Sequence, residues 1–145
     1  MDAPRDPGLT VIAAPPRFGS GSAELAATAA LGRRLGLDLG PRRLRLDDGT
    51  SVEVEAGDDA GRVVAQFVLN TGAVRSSLRN KVAADLFKLV WIRQAVAPGA
   101  RAILVVSDSV SAILAGRGWL GAAARDLGVE VVVLLDDGTT RATPA

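Results

Sequence analysis

Two neighbouring stretches decide how this chain folds: Ser51-Val52-Glu53-Val54-Glu55 and Val63-Val64-Ala65-Gln66-Phe67-Val68. The first alternates apolar and polar residues, the pattern of a strand with one face on a core and one in water. The second is continuously apolar except at Gln66, and reads as a central strand covered on both faces. Gly57-Asp58-Asp59-Ala60-Gly61 supplies a turn between them. Upstream, Arg43-Leu44-Arg45-Leu46 alternates as well, and Asp47-Asp48-Gly49 links it to the first stretch. Three strands joined by turns make an antiparallel meander.

Working outward, the spacing predicts a long helix from about Ser76 to Val96. Leu78, Val82, Leu86 and Leu89 form one apolar stripe, and Pro98-Gly99 stops the helix. Ala102 to Val106 is a buried strand. A helix is expected over about 110–127, with an interruption around Gly116-Arg117-Gly118, and Gly128 as its C-terminal cap. Val131 to Leu135 is the last expected strand. Before the meander, a helix is expected from about Ser20 to Leu35, capped by Ser20 or Ser22. Residues 1–19, with Pro4, Pro7, Pro15 and Pro16, read as an irregular arm holding one short strand between Leu9 and Ala14. Residues 137–145 read as a polar tail. The result is one α/β domain over 20–136, in the order α-β-β-β-α-β-α-β. The long helix crosses between two parallel strands, and the sheet is mixed with helices on both faces.

The chain has 145 residues, 48% hydrophobic and 3% aromatic, with a net charge of +1. A domain of this length buries roughly two-thirds of its unfolded surface, here mostly Val, Leu, Ile and Ala. The small net charge excludes strong global attraction to nucleic acid but not a local basic patch. Lys81 and Lys88 are the only lysines, and the Arg-, Ala- and Gly-rich composition suggests a bacterial source with a GC-rich genome. There is no Cys and no His. That excludes disulfides, thiolate nucleophiles, Cys/His zinc sites and histidine acid–base catalysis. Any metal must be a hard ion on oxygen ligands. No stretch has the apolar length of a membrane span, and the N-terminus lacks the order of a signal peptide. A cytoplasmic protein without a membrane role is expected.

The strand order, with Glu55 on the second meander strand and Gln66-Phe67-Val68 on the third, resembles the PD-(D/E)XK nuclease superfamily, the restriction-endonuclease-like fold. The resemblance covers roughly residues 20–135. In that superfamily an acid on the second strand and a Glu on the third hold Mg²⁺ or Mn²⁺, and a Lys two residues later steadies the attacking water. The resemblance places Glu55 at the first acid and Gln66 at the Glu. Val68 stands where the Lys belongs, and Lys81 on the following helix is its substitute. Glu24 matches an acid often found on the first helix. The implied metal ligands are therefore Glu24, Glu55 and Gln66, and the implied catalytic residues Glu55, Gln66 and Lys81. The departures at Gln66 and Val68 imply a degenerate site.

Three functions stand as expectations. One is a nuclease-like domain with a degraded metal site, acting as a binding or interaction module in DNA-related processes. Another is an active Mg²⁺- or Mn²⁺-dependent endonuclease using Glu55, Gln66 and the relocated Lys81. The third is an unrelated α/β protein with no nucleic-acid role and no cofactor. A chain this small has no separate DNA-reading domain, so specific recognition calls for a homodimer or a protein partner. Plainer roles exist for each residue. Glu53 and Glu55 would be the solvent face of an alternating strand. Gln66 would be a hydrogen-bonded core amide. Lys81, Asp85 and Lys88 would be a surface ion-pair ladder. Glu24 would be an acid favoured by a helix N-terminus.

Overall fold

The computed structural model describes residues 8–15, 22–70, 73, 75–115 and 117–143. A mixed sheet of seven strands runs in chain order from one edge to the other. β1 (Thr10–Ala13), β2 (Gly40–Arg45), β3 (Ser51–Gly57) and β4 (Val63–Val68) are antiparallel neighbours. β5 (Arg101–Ser107) and β6 (Val129–Leu134) continue parallel to β4. β7 (Thr140–Ala142) closes the far edge antiparallel.

The parallel steps need crossovers, and helices provide them. α2 (Ser76–Trp91) links β4 to β5 and runs on into a π turn, Ile92–Val96, closed by Ala97 N–H on the Ile92 carbonyl at 2.7 Å. Between β5 and β6 the helix expected with an interruption is two helices, α3 (Asp108–Leu114) and α4 (Trp119–Asp126). They approach so closely that a Cβ on Gly121 would lie 2.1 Å from the Leu114 carbonyl oxygen. α1 (Ala23–Leu35) is capped by Ser22, whose hydroxyl accepts from Leu25 N–H at 3.2 Å, and ends at Gly36 in the left-handed region. The alternative cap at Ser20 and the expected breaker Gly116 lie outside the described residues.

Two cores sandwich the sheet. On one face Ala27 and Leu31 of α1 pack on Ala56, Ala65, Phe67, Ile103 and Val105. On the other, Val82, Leu86 and Leu89 of α2 pack with Val64, Val68, Leu104 and Val106, and α3 and α4 extend the layer. All six residues of β4 are buried, as the apolar run requires. Each fully buried valine there contributes about 1.5–3 kcal/mol.

Two differences from the sequence reading stand out. Residues 137–145 do not form a polar tail throughout, because Thr140–Ala142 is a strand on β6. And β3 does not alternate to its end. Arg42 pairs with Val54 but Gly40 pairs with Gly57, so three steps on β3 oppose two on β2. This is a β-bulge, which inserts one residue and flips the facing of the residues after it. Val54 belongs to the α2-side core and Ala56 to the α1-side core.

Candidate functional site

The bulge decides where Glu55 goes. Before it, Glu53 lies on the face away from α2 and pairs with Arg43, its cross-strand neighbour, at 2.6 Å. After it, Glu55 faces α2. Glu53 and Glu55 are thus on opposite faces and not a shared solvent face.

Glu55 stands across from Gln66, just beyond the point where the β3–β4 ladder stops. That ladder has two pairs, Ala56 with Ala65 and Gly57 with Val64. Past them, side chains take over from backbone. Glu55 N–H donates to Gln66 Oε1 at 2.9 Å. Gln66 Nε2 donates to Asp85 Oδ1 at 3.3 Å, and Lys81 Nζ reaches Asp85 Oδ2 at 3.0 Å. A single chain of contacts therefore runs from β3 through β4 to α2.

Burial sets the electrostatics. Gln66 is 3% exposed and Asp85 8%. A buried amide or carboxylate is costly unless bonded, and both are bonded. Burial pushes the Glu55 carboxyl above its ordinary value; the Lys81 charge opposes this, Asp85 adds to it, and Lys88 opposes it weakly.

The structure brings Glu55, Gln66 and Lys81 together and adds Asp85, which the sequence reading placed only in an ion-pair ladder. The signal for Asp85 was present: it lies three residues after Val82 and four before Leu89, on the apolar stripe itself. An acid on a stripe that faces a core needs a partner there. Glu24 is not brought to this site. It lies in the first turn of α1, on the opposite face of the sheet from α2. Val68 is fully buried in the α2-side core.

The cluster's oxygen donors are already engaged within the protein. Gln66 Oε1 already accepts a hydrogen bond and Asp85 is shared between Gln66 and Lys81. Among the described residues no three His, Cys, Asp or Glu side chains gather where they could hold a metal.

Beside the cluster lies a basic segment. From Asn70 to Ala84 the sequence has Arg75, Arg79 and Lys81 and no acid. All three cations are exposed at the start of α2, and Arg75 and Arg79 make no ion pair among the described residues. The helix N-terminus adds partial positive charge. No helix of the described residues is long and apolar enough to cross a membrane. Compared with protein-family models, with characterised proteins and with solved structures, the chain matches none.

Proposed function

We propose that this chain is a nuclease-like domain of the PD-(D/E)XK class that binds nucleic acid without cutting it. The observation that carries this reading is Gln66. It stands opposite Glu55, where that class would put its second metal-binding acid, and both ends of its amide are committed to protein partners. Phosphodiester cleavage in this class needs a metal to polarise the phosphate and lower the pKa of a bound water. An amide that is already bonded brings no charge to such an ion. Val68 offers no amine to a nucleophile. The acid-free segment with Arg75, Arg79 and Lys81 supports the binding half of the proposal, because phosphate contacts supply most non-specific affinity.

Fluorescence anisotropy with a short labelled duplex tests the binding. The parent binds at low salt, and Arg79→Ala reduces the slope of log affinity against log salt by about 0.9, the value of one phosphate contact. Absence of binding at low salt would overturn the proposal. Plasmid nicking with Mn²⁺ tests the second half. Metal-dependent nicking that disappears in Glu55→Ala would replace this reading with that of an active nuclease using Glu55, Gln66 and Lys81.

A further inference from the structure

A second site lies at the other end of the parallel strands, and none of Glu55, Gln66, Lys81 and Asp85 lines it. β7 pairs only with Val132–Leu134 of β6. Below that, Thr143 N–H closes on the Val131 carbonyl at 3.0 Å and the edge of β6 is left open. A cavity of about 300 Å³ occupies the gap. That is the lower end of the size range of small-molecule sites. Its accessible wall is apolar along Leu35, Val131 and Ala142, and polar at Arg34, Arg101, Arg125 and Thr143.

The charges there do not balance. Glu130 is the one acid lining the cavity among the described residues. Arg101 holds it with two bonds, Nε to Oε2 at 3.0 Å and Nη2 to Oε1 at 2.7 Å, and this pair is self-contained. Arg34 and Arg93 also lie within electrostatic range of Glu130. Arg93 is held beside Gly128 and does not line the cavity: its Nη1 donates to the Leu127 carbonyl at 3.0 Å, and a Cβ on Gly128 would collide with its guanidinium. Arg125 lines the cavity with no ion pair among the described residues. Two lining guanidinium groups, Arg34 and Arg125, therefore have no ion pair of their own among the described residues. Thr143 Oγ1 is shielded from solvent and has no hydrogen-bond partner among the described residues. Native structures rarely leave such a group unmet.

We propose that this cavity binds a small organic anion, a phosphate or carboxylate head on an apolar body, with Arg34 and Arg125 as charge partners and the Thr143 hydroxyl as a further hydrogen-bond partner. The guanidinium fork matches either head group. Leu35, Val131 and Ala142 offer the body an apolar wall.

Titration calorimetry on the full chain tests this with phenyl phosphate, benzoate, inorganic phosphate and phenol. The expected result is that phenyl phosphate or benzoate binds more tightly than inorganic phosphate, and that phenol does not bind. Whichever of the two binds better identifies the head group. Arg34→Ala combined with Arg125→Ala weakens that probe by about tenfold or more, since loss of one charge-assisted contact reads at that scale. Both arginines are exposed, so the double variant is expected to fold, with an unchanged circular dichroism spectrum as the check. Thr143→Val, close to isosteric, weakens the probe by about threefold. The proposal is overturned if neither aromatic anion binds, if the double variant binds as the parent does, or if phenol binds as well as the anions. It is also overturned if a short oligonucleotide displaces the probe in an Arg34-dependent way, because the arginines would then belong to a nucleic-acid surface.

Discussion

Gln66 is the residue on which most depends. It replaces backbone pairing where β3 and β4 separate, and it gives buried Asp85 a donor. Gln66→Leu keeps the volume but strands both partners, so a loss of about 1–3 kcal/mol is expected in urea unfolding. Gln66→Glu asks a different question. It places a third carboxylate between Glu55 and Asp85, and three acids suit a hard cation. The variant should gain a Mn²⁺-dependent rise in Tm that the parent lacks. Glu55 itself sets a pH dependence. Its carboxyl is raised chiefly by burial. The folded state therefore holds this proton to higher pH than the unfolded chain does. Stability is unaffected below the ordinary carboxylate value of 4.5 and falls as pH rises from there through the raised folded value. Glu55→Gln removes that slope, so its stability relative to the parent should increase from pH 4 to pH 7, as read by chemical denaturation. The sequence made Gln66 conspicuous as the one polar residue of its strand. It did not reveal that the amide would be fully spent, because that depends on Asp85 arriving from a helix.

At the scale of elements, the turns are what the chain writes most plainly. Leu46-Asp47-Asp48-Gly49-Thr50 and Leu135-Asp136-Asp137-Gly138-Thr139 are the same pentapeptide. They make the same hairpin. Leu46 N–H meets the Thr50 carbonyl and Leu135 N–H the Thr139 carbonyl, each at 2.8 Å, and Gly49 and Gly138 have φ of 90° and 84°. Only glycine adopts that φ cheaply. The first copy was legible as a turn, and the second, read as the start of a polar tail, carried the same information. The bulge in β3 was not legible. Nothing in Val54-Glu55-Ala56 departs from alternation, and the extra residue shows only against the register of β2. The split between α3 and α4 was signalled by glycines, and Gly121 makes it testable. Gly121→Ala drives a methyl into the Leu114 carbonyl. A loss of about 2 kcal/mol or more is expected in thermal unfolding.

For the whole molecule, the apolar run of β4 and the stripe of α2 were enough to read a mixed sheet with helices on both faces. The short strand between Leu9 and Ala14 was read as well, but not the one beyond β6. Edge strands are short and polar, so they carry little periodic signal. β7 is three residues long, yet it covers an otherwise bare edge. Ending the chain after Asp136 removes it. The remaining sheet should fold but self-associate, giving a concentration-dependent shift in size-exclusion elution that the full chain lacks.

Every ladder in the sheet joins strands that succeed one another in the chain. No gap has to be held open for a strand still to be made. A polypeptide leaving the ribosome N-terminus first can therefore lay down this sheet one rung at a time, each new strand docking on the edge left by the last. The free edge travels with synthesis, from β2 to β6, and is sealed only when the second copy of the Leu-Asp-Asp-Gly-Thr turn folds β7 back. A strand of three residues thus ends the growth of the sheet on that side.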